Sequence, residues 1–264
     1  MLLAIDVGNT NTVIGLYDGG DAASAGSADE GLIDHWRIAT DRRRTADELS
    51  VVVRDFLRPR FPNLDAIQGI AISSGVPHIT SALRDMSTRY FEVEPVVIGP
   101  GVRSGIAIAT DNPREVGADR IANSAGAWHL WGGPTVVVDF GTATTCDVIS
   151  DKGEYLGGAI APGVDISLDA LFQRASALRA VELIEPRSVI GKSTAECIQA
   201  GAIFGFAGQV DGLVTRIEGE LGECRVVATG GLSSLIAPYS STIDQIEPWI
   251  TLHGLRLIHA KNVE

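Results

Sequence analysis

Leu2-Leu3-Ala4-Ile5-Asp6-Val7-Gly8-Asn9-Thr10-Asn11-Thr12 opens the chain, and Thr135-Val136-Val137-Val138-Asp139-Phe140-Gly141-Thr142-Ala143-Thr144-Thr145 nearly repeats it. Each stretch is a short apolar run, an Asp, an apolar residue and a Gly, followed by small hydroxyl or amide side chains. Half the 264-residue chain separates Asp6 from Asp139, so the spacing predicts one unit used twice. A short apolar run reads as a buried strand, and the Gly lets the backbone turn tightly after the Asp. Backbone N–H groups with the hydroxyls of Thr10, Thr12, Thr142, Thr144 and Thr145 could cradle phosphate oxygens there, while Asp6 or Asp139 holds a cation.

Composition narrows the function classes. A hydrophobic content of 45% is ample core material, and the duplication favours two domains over one. The net charge of −12 argues against a nucleic-acid groove, which depends on clustered Lys and Arg. Three lysines stand against eighteen arginines, and Arg42-Arg43-Arg44, the one basic run, reads as a solvated loop in preference to a phosphate contact. Cys146, Cys197 and Cys224 have no CxxC spacing, so neither a disulfide framework nor a zinc site is expected. No basic leader precedes Asp6 and no uncharged run spans a bilayer, so the expectation is a cytoplasmic protein with no membrane partner.

Along the first half, strands are expected at 2–5, 12–17 and 33–38, with Asp18 to Gly31 as a loose, mobile hairpin tip. Thr45-Ala46-Asp47-Glu48 fits a capping box that starts a helix running to Leu57. A strand at 66–73, a helix at 80–90 and a strand at 95–98 follow. In the second half a helix is expected at 119–131, strands at 135–139, 145–150 and 154–160, and a helix at 167–179. Residues 193–221 form a long helix whose Gly201, Gly205, Gly208 and Gly212 suit close packing at a domain or subunit contact. A strand at 225–228 and a helix at 249–260 end the chain. Three hairpin-linked strands followed by alternating helix and strand is the order of a ribonuclease-H-like fold. The prediction is therefore α/β, with duplicated ribonuclease-H-like domains at 1–116 and 117–264, the last helix packing back on the first domain, and an ATP cleft between the two.

Pro186 to Ser193, PRSVIGKS, imitates the tail of a P-loop but has Pro where that loop needs its first Gly, and it is rejected as one. The paired Asp-x-Gly turns are stronger, joined by Thr229-Gly230-Gly231, a Gly-Gly turn where a base and sugar could lie against bare backbone. This layout resembles the actin, sugar kinase and heat-shock chaperone superfamily. The set Asp6 to Thr12, Gly117-Ala118-Asp119-Arg120, Asp139-Phe140-Gly141-Thr142 and Gly157-Gly158-Ala159-Ile160-Ala161-Pro162-Gly163 resembles the type III pantothenate kinases over essentially the whole chain.

That resemblance implies transfer of the ATP γ-phosphate to the terminal hydroxyl of pantothenate, opening coenzyme A synthesis. By motif it implies that Asp6, Val7, Gly8, Asn9, Thr10, Asn11, Thr12 and Val13 cradle ATP, with Asp6 near Mg²⁺ and Thr142 on the phosphates. It implies that Gly230 and Gly231 meet the adenosine, and that Asp139 binds a monovalent cation, K⁺ or NH₄⁺. Asp119 becomes the general base; its other reading is a carboxylate favoured by a helix N-terminus, by about 0.3 to 1 kcal/mol. Gly117, Ala118, Asp119 and Arg120 would line the substrate site, and Thr194 would reach pantothenate from the partner subunit of a homodimer. Ser193 and Thr194 are equally good caps of the long helix. Thr110 stands where many members carry Tyr, close to substrate without ring stacking. The five histidines lack metal spacing and read as structural. A non-catalytic accessory factor of the same family, and a kinase for another small hydroxylated substrate, are the competing readings.

Overall fold

A computed structural model describes residues 1–59, 61 and 64–263. The chain forms two compact units, Met1–Leu130 with Trp249–Glu264, and Trp131–Pro248.

The first unit is built on β1 (Leu2–Val7), β2 (Asn11–Tyr17), β3 (Leu32–Ala39), β4 (Gly69–Ser74) and β5 (Val96–Val97), in the order β3-β2-β1-β4-β5. β1 pairs antiparallel with β2 and parallel with β4. Between these strands come α1 (Ala46–Leu57) and α2 (Pro77–Tyr90), followed by a short β6 (Ala107–Ile108) and α3 (Ala118–Trp131). The expected capping box is present: Thr45 Oγ1 accepts from Glu48 N, and Glu48 accepts from Thr45 N at 2.8 Å. β1 is buried on both faces, which is why it reads as a continuous apolar run. Leu3, Ile5 and Val7 meet Leu49, Val53, Leu57, Ile79 and Leu83 of α1 and α2. Leu2 and Ala4 face the other way, into a core with Ala122 and Ala125 of α3 and with Leu252, Leu255 and Ile258 of α7 (Ile250–Val263).

The second unit holds β7 (Thr135–Phe140), β8 (Ala143–Ile149), β9 (Glu154–Pro162), α4 (Val164–Arg174), α5 (Thr194–Leu221), β10 (Arg225–Thr229), α6 (Ser233–Ile236) and β11 (Gln245–Ile246). Its order β9-β8-β7-β10-β11 is that of the first unit, with the same antiparallel and parallel pairings. Even the irregularity recurs. Register slips between Leu16 and Tyr17 on β2, and between Val148 and Ile149 on β8, in both cases at the strand's last residue. The duplicated ribonuclease-H-like fold is thus present, with Val136, Val138, Phe140, Cys146 and Val148 packed against Val164, Ala202, Val210 and Val214. Among the described residues α5 alone is long and apolar enough to cross a membrane by length and composition, and 44% of that window is buried.

Two expectations need correction. The spatial boundary falls at Leu130/Trp131 instead of 116/117, so α3 and Asp119 belong to the first unit. The cause is close packing of α3 on α7: a Cβ on Gly126 would stand 2.7 Å from the Ile250 carbonyl oxygen, and one on Gly254 would collide with the Ala122 carbonyl. The 18–31 segment is not a loose tip. Ala22, Ala25 and Ala28 are buried, Tyr17 Oη donates to Ala28 O at 3.0 Å, and the buried Arg256 of α7 donates to Glu30 O (2.7 Å) and Gly20 O (3.0 Å).

Candidate functional site

In the first unit the site grows from one row of residues across the sheet. Arg37, Val13, Asp6 and Ser73 lie side by side on β3, β2, β1 and β4. Strand alternation turns Asp6 to the side of Leu2 and Ala4, where α3 lies. Asp119, exposed in the first turn of α3, is close enough for its charge to act on Asp6. Burial, and then repulsion from Asp119, push the Asp6 carboxyl up to about 7, against the opposing pull of a hydrogen bond from Ser73 and the charge of Arg37. Asp119 accepts the Arg120 N–H at 2.9 Å, and a Cβ on Gly117 would stand 2.5 Å from its Oδ1, so the carboxylate is folded over bare backbone.

The turn after β1 is braced from β3. Gly8 N donates to Asn11 O at 3.0 Å, and Thr40 N donates to Thr10 O at 2.9 Å. Thr40 Oγ1 donates to Gly8 O at 2.8 Å, so at its 2.9 Å contact with Thr12 it must accept the Thr12 proton. Thr12 is buried, and its hydroxyl braces the turn from behind; Asn9, Thr10 and Asn11 are the exposed members. Arg42 donates to Asn9 Oδ1 at 2.9 Å, so one of the three consecutive arginines reaches the turn from what is, as expected, an exposed loop.

The second unit repeats this turn with one residue fewer. Gly141 N donates to Ala143 O at 3.1 Å, and Thr142 is exposed. Gly163 takes the place of Thr40: it follows the residue paired with Ala143, and its N–H donates to Thr142 O at 3.2 Å. A side chain at 163 would collide with the Gly141 and Thr142 carbonyls. Thr144, the counterpart of Thr12, therefore has a buried hydroxyl with no hydrogen-bond partner among the described residues. Gly163 also caps α4, so the unsatisfied N–H groups that open that helix lie beside the turn and suit an anion.

Asp139 sits in its own row, Ile160, Thr145, Asp139 and Thr229, on β9, β8, β7 and β10. Two hydroxyls flank this carboxylate, and bare backbone approaches it. A Cβ on Gly230, whose φ is +91°, would collide with Asp139 Oδ1 and the Phe140 carbonyl, and one on Gly141 would stand 3.3 Å from the same oxygen. Hard oxygen donors of this kind fit an alkali or ammonium cation better than a soft metal. No three His, Cys, Asp or Glu side chains cluster as metal ligands among the described residues, so a divalent ion at Asp6 would take its other oxygens from water or phosphate.

Val7 is buried, Val13 and Ala118 are half-buried beside the Asp6 row, and Gly231 is exposed after the Gly230 turn. Ser193 is the cap of α5, accepting Glu196 N at 3.2 Å. Thr194 is thereby left to line a groove of about 450 Å³ with Leu168, Leu171, Cys197 and Gly201. The Thr110 hydroxyl is buried and has no hydrogen-bond partner among the described residues. Sequence reasoning missed Ser73 and Thr40. A signal existed for the first: Ser73-Ser74-Gly75 ends β4 as Thr229-Gly230-Gly231 ends β10, one turn in each copy.

Residues 2–216 match the family model of type III pantothenate kinase. The chain is 51% identical over 263 residues to the type III pantothenate kinase of Moorella thermoacetica, covering 99% of this chain and 100% of that protein. It is 54% identical over 265 residues to that of Frankia alni, with 100% of each covered. Among solved structures, a protein from Campylobacter jejuni described as a Baf family transcriptional activator superposes with a TM-score of 0.60 at 18% identity, covering 99% and 98% of the two chains. A ROK family glucokinase from Streptomyces griseus, in complex with glucose and AMPPNP, gives 0.54 at 12% identity, with 99% of each covered. These likenesses show the actin-like ATPase fold.

Proposed function

The chain belongs to the type III pantothenate kinase family, and from that premise we propose how its residues carry out the phosphorylation of pantothenate by ATP that opens coenzyme A synthesis. Phosphoryl transfer is mainly positioning and charge neutralisation, which short turns, cations and one base supply. Asp119 is the general base that accepts the proton of the attacking hydroxyl. The observation that carries this is its exposure at the start of α3 within charge range of Asp6: a solvent-facing carboxylate acts on the residue proposed to hold Mg²⁺.

Asn9, Thr10 and Asn11 contact the ATP phosphates through the exposed turn, with Arg42 adding charge, and Thr142 contacts them as well. Gly230 and Gly231 leave room for adenosine, and Asp139 binds K⁺ or NH₄⁺. Gly117, Ala118, Asp119 and Arg120 line the pantothenate site, Arg120 offering donors to its hydroxyl or carboxylate. Thr110, with its unanswered hydroxyl, is a further polar contact. Thr194 acts on the site of a second copy in a homodimer. The open face of α5 supports that arrangement, since a Cβ added at Gly201, Gly205 or Gly208 would meet nothing within 4 Å. The cytoplasm, where ATP and free thiols coexist, is the compartment proposed for it. A non-catalytic accessory role would not need the Asp6 and Asp119 pair, which this chain keeps.

The test is pantothenate-dependent ATP consumption by wild type and Asp119→Asn. Loss of a general base costs about 10²- to 10⁴-fold in rate, with MgATP binding retained. A kcat near that of wild type would refute the base assignment.

A further inference from the structure

Asp147 is a fully buried acid outside the residues proposed to hold ATP, pantothenate or a cation. It lies two residues after Thr145 on β8, on the same face of the sheet. Tyr155, itself buried, donates its hydroxyl to Asp147 Oδ1 at 3.0 Å, and Thr145 Oγ1 donates to Oδ2 at 3.2 Å. Thr145 is the residue directly opposite Asp139. A threonine hydroxyl has one proton, so when that proton points at Asp147 the oxygen's lone pairs are left for another partner. The carboxylate at the far end also raises the electron density on that oxygen.

The duplication supplies the control. In the first unit the positions equivalent to Thr145, Asp147 and Tyr155 are Val13, Gly15 and Leu32, read from the two registers. The space beside Gly15 is filled by Leu252 and Leu32, an apolar solution to the same piece of sheet. The fold therefore does not require a buried acid here, and a buried acid is not a stabilising device in itself. It occurs in the copy whose Asp139 is flanked by hydroxyls.

We infer that Asp147 is a positioning residue for the cation site of Asp139: it orients and polarises the Thr145 hydroxyl so that Oγ1 serves as a ligand beside the Asp139 carboxylate. This rests on the reading of Asp139 as ligand of a monovalent cation. It extends that site to Thr145, with Asp147 acting through it.

The experiment follows the thermal midpoint of the full-length protein with MgCl₂ and a non-hydrolysable ATP analogue. KCl is titrated against choline chloride at constant ionic strength. Asp147→Asn should raise the K⁺ concentration of half-maximal stabilisation by about tenfold or more. Thr145→Val should do the same, and Thr145→Ser should restore it. Tyr155→Phe should lower the midpoint temperature while leaving the K⁺ dependence within about twofold of wild type, a separation that a merely structural role would not give. A K⁺-responsive wild type with an unchanged dependence in Asp147→Asn overturns the inference alone. A wild type indifferent to K⁺ overturns the Asp139 assignment and the inference together, while pantothenate-dependent ATP consumption still reports on the kinase. If Asp147→Asn does not fold, equal K⁺ dependences in Thr145→Val and Thr145→Ser overturn it.

Discussion

Replacing Asp6 by Asn tests the electrostatics of the first unit most directly. In the folded chain the Asp6 carboxyl titrates near 7, against 3.8 for an ordinary Asp, with burial and Asp119 as the causes. Between those two values the native state binds more protons than the unfolded chain, so the stability linked to Asp6 is fully present below pH 3.8 and is lost as pH rises through about 7. At 1.36 kcal/mol per unit the ceiling is about 4 kcal/mol, and the solvent window that Asp6 keeps reduces the expectation to about 2 kcal/mol. Asn cannot ionise. Asp6→Asn should therefore melt close to wild type at pH 4 and about 4 to 8 °C higher at pH 8, measured by calorimetry without nucleotide or Mg²⁺. The same variant should lose MgATP affinity, because the carboxylate that destabilises the empty protein is the one proposed to meet the metal. In wild type that affinity should fall about tenfold for each pH unit below 7, where Asp6 takes up its proton. A melting difference that stays constant from pH 4 to pH 8 would refute the burial and repulsion argument, whatever the variant does to activity.

Three further outcomes follow from other contacts. Thr40→Val removes the hydroxyl that joins Gly8 O to Thr12, so it should raise KM for ATP several-fold while leaving KM for pantothenate unchanged, at a cost of about 1 to 3 kcal/mol in unfolding measurements. Gly230→Ala drives a methyl into Asp139 and the Phe140 carbonyl, from a φ of +91° that L residues avoid; it should weaken nucleotide binding at least tenfold, and an unaltered ATP titration would remove Gly230 from the site. His253 is held neutral: burial, then His129 and Arg256, push it down to about 4, so its contribution of about 3 kcal/mol is present above pH 6.5 and lost as pH falls through 4. His253→Gln should flatten that acid limb in a pH series of urea melts.

Much of the fold was legible because its signals are local. Leu2–Val7 and Thr135–Phe140 are apolar runs bounded by Asp and Gly, and Thr45 with Glu48 announces α1 within four residues. What escaped depends on partners remote in sequence. The 18–31 segment is polar and Gly-rich on paper, yet Arg256, more than two hundred residues away, holds its carbonyls. The unit boundary escaped for a related reason. Repetition places it before Gly117, whereas two glycines that let α3 and α7 touch carry α3 into the first unit. At the site, the Asp-x-Gly turns and Asp119 were legible as motifs. Thr12 was legible only as a hydroxyl, because nothing local says that its proton goes to Thr40.

The two copies of the hairpin show how one backbone yields two kinds of carboxylate. Asp6 has Val13 on one side, Ser73 on the other and Asp119 within charge range, an environment that burial and like charge make hostile to its ionised form. A site of that kind gains most from a divalent ion, whose double charge offsets both acids. Asp139 has Thr145 and Thr229 in the same two places and glycine backbone pressed against it, and the acid two residues along β8, Asp147, is engaged by Thr145 and Tyr155. Neutral oxygens around a single carboxylate suit a singly charged ion, which brings less charge and needs more ligands to replace its water. The division of labour proposed for Mg²⁺ and K⁺ thus follows from what stands at positions 13 and 145, 73 and 229. Exchanging Val13 and Thr145 between the copies should disturb the two cation dependences separately, with Thr145→Val altering the response to K⁺ and Val13→Thr that to Mg²⁺.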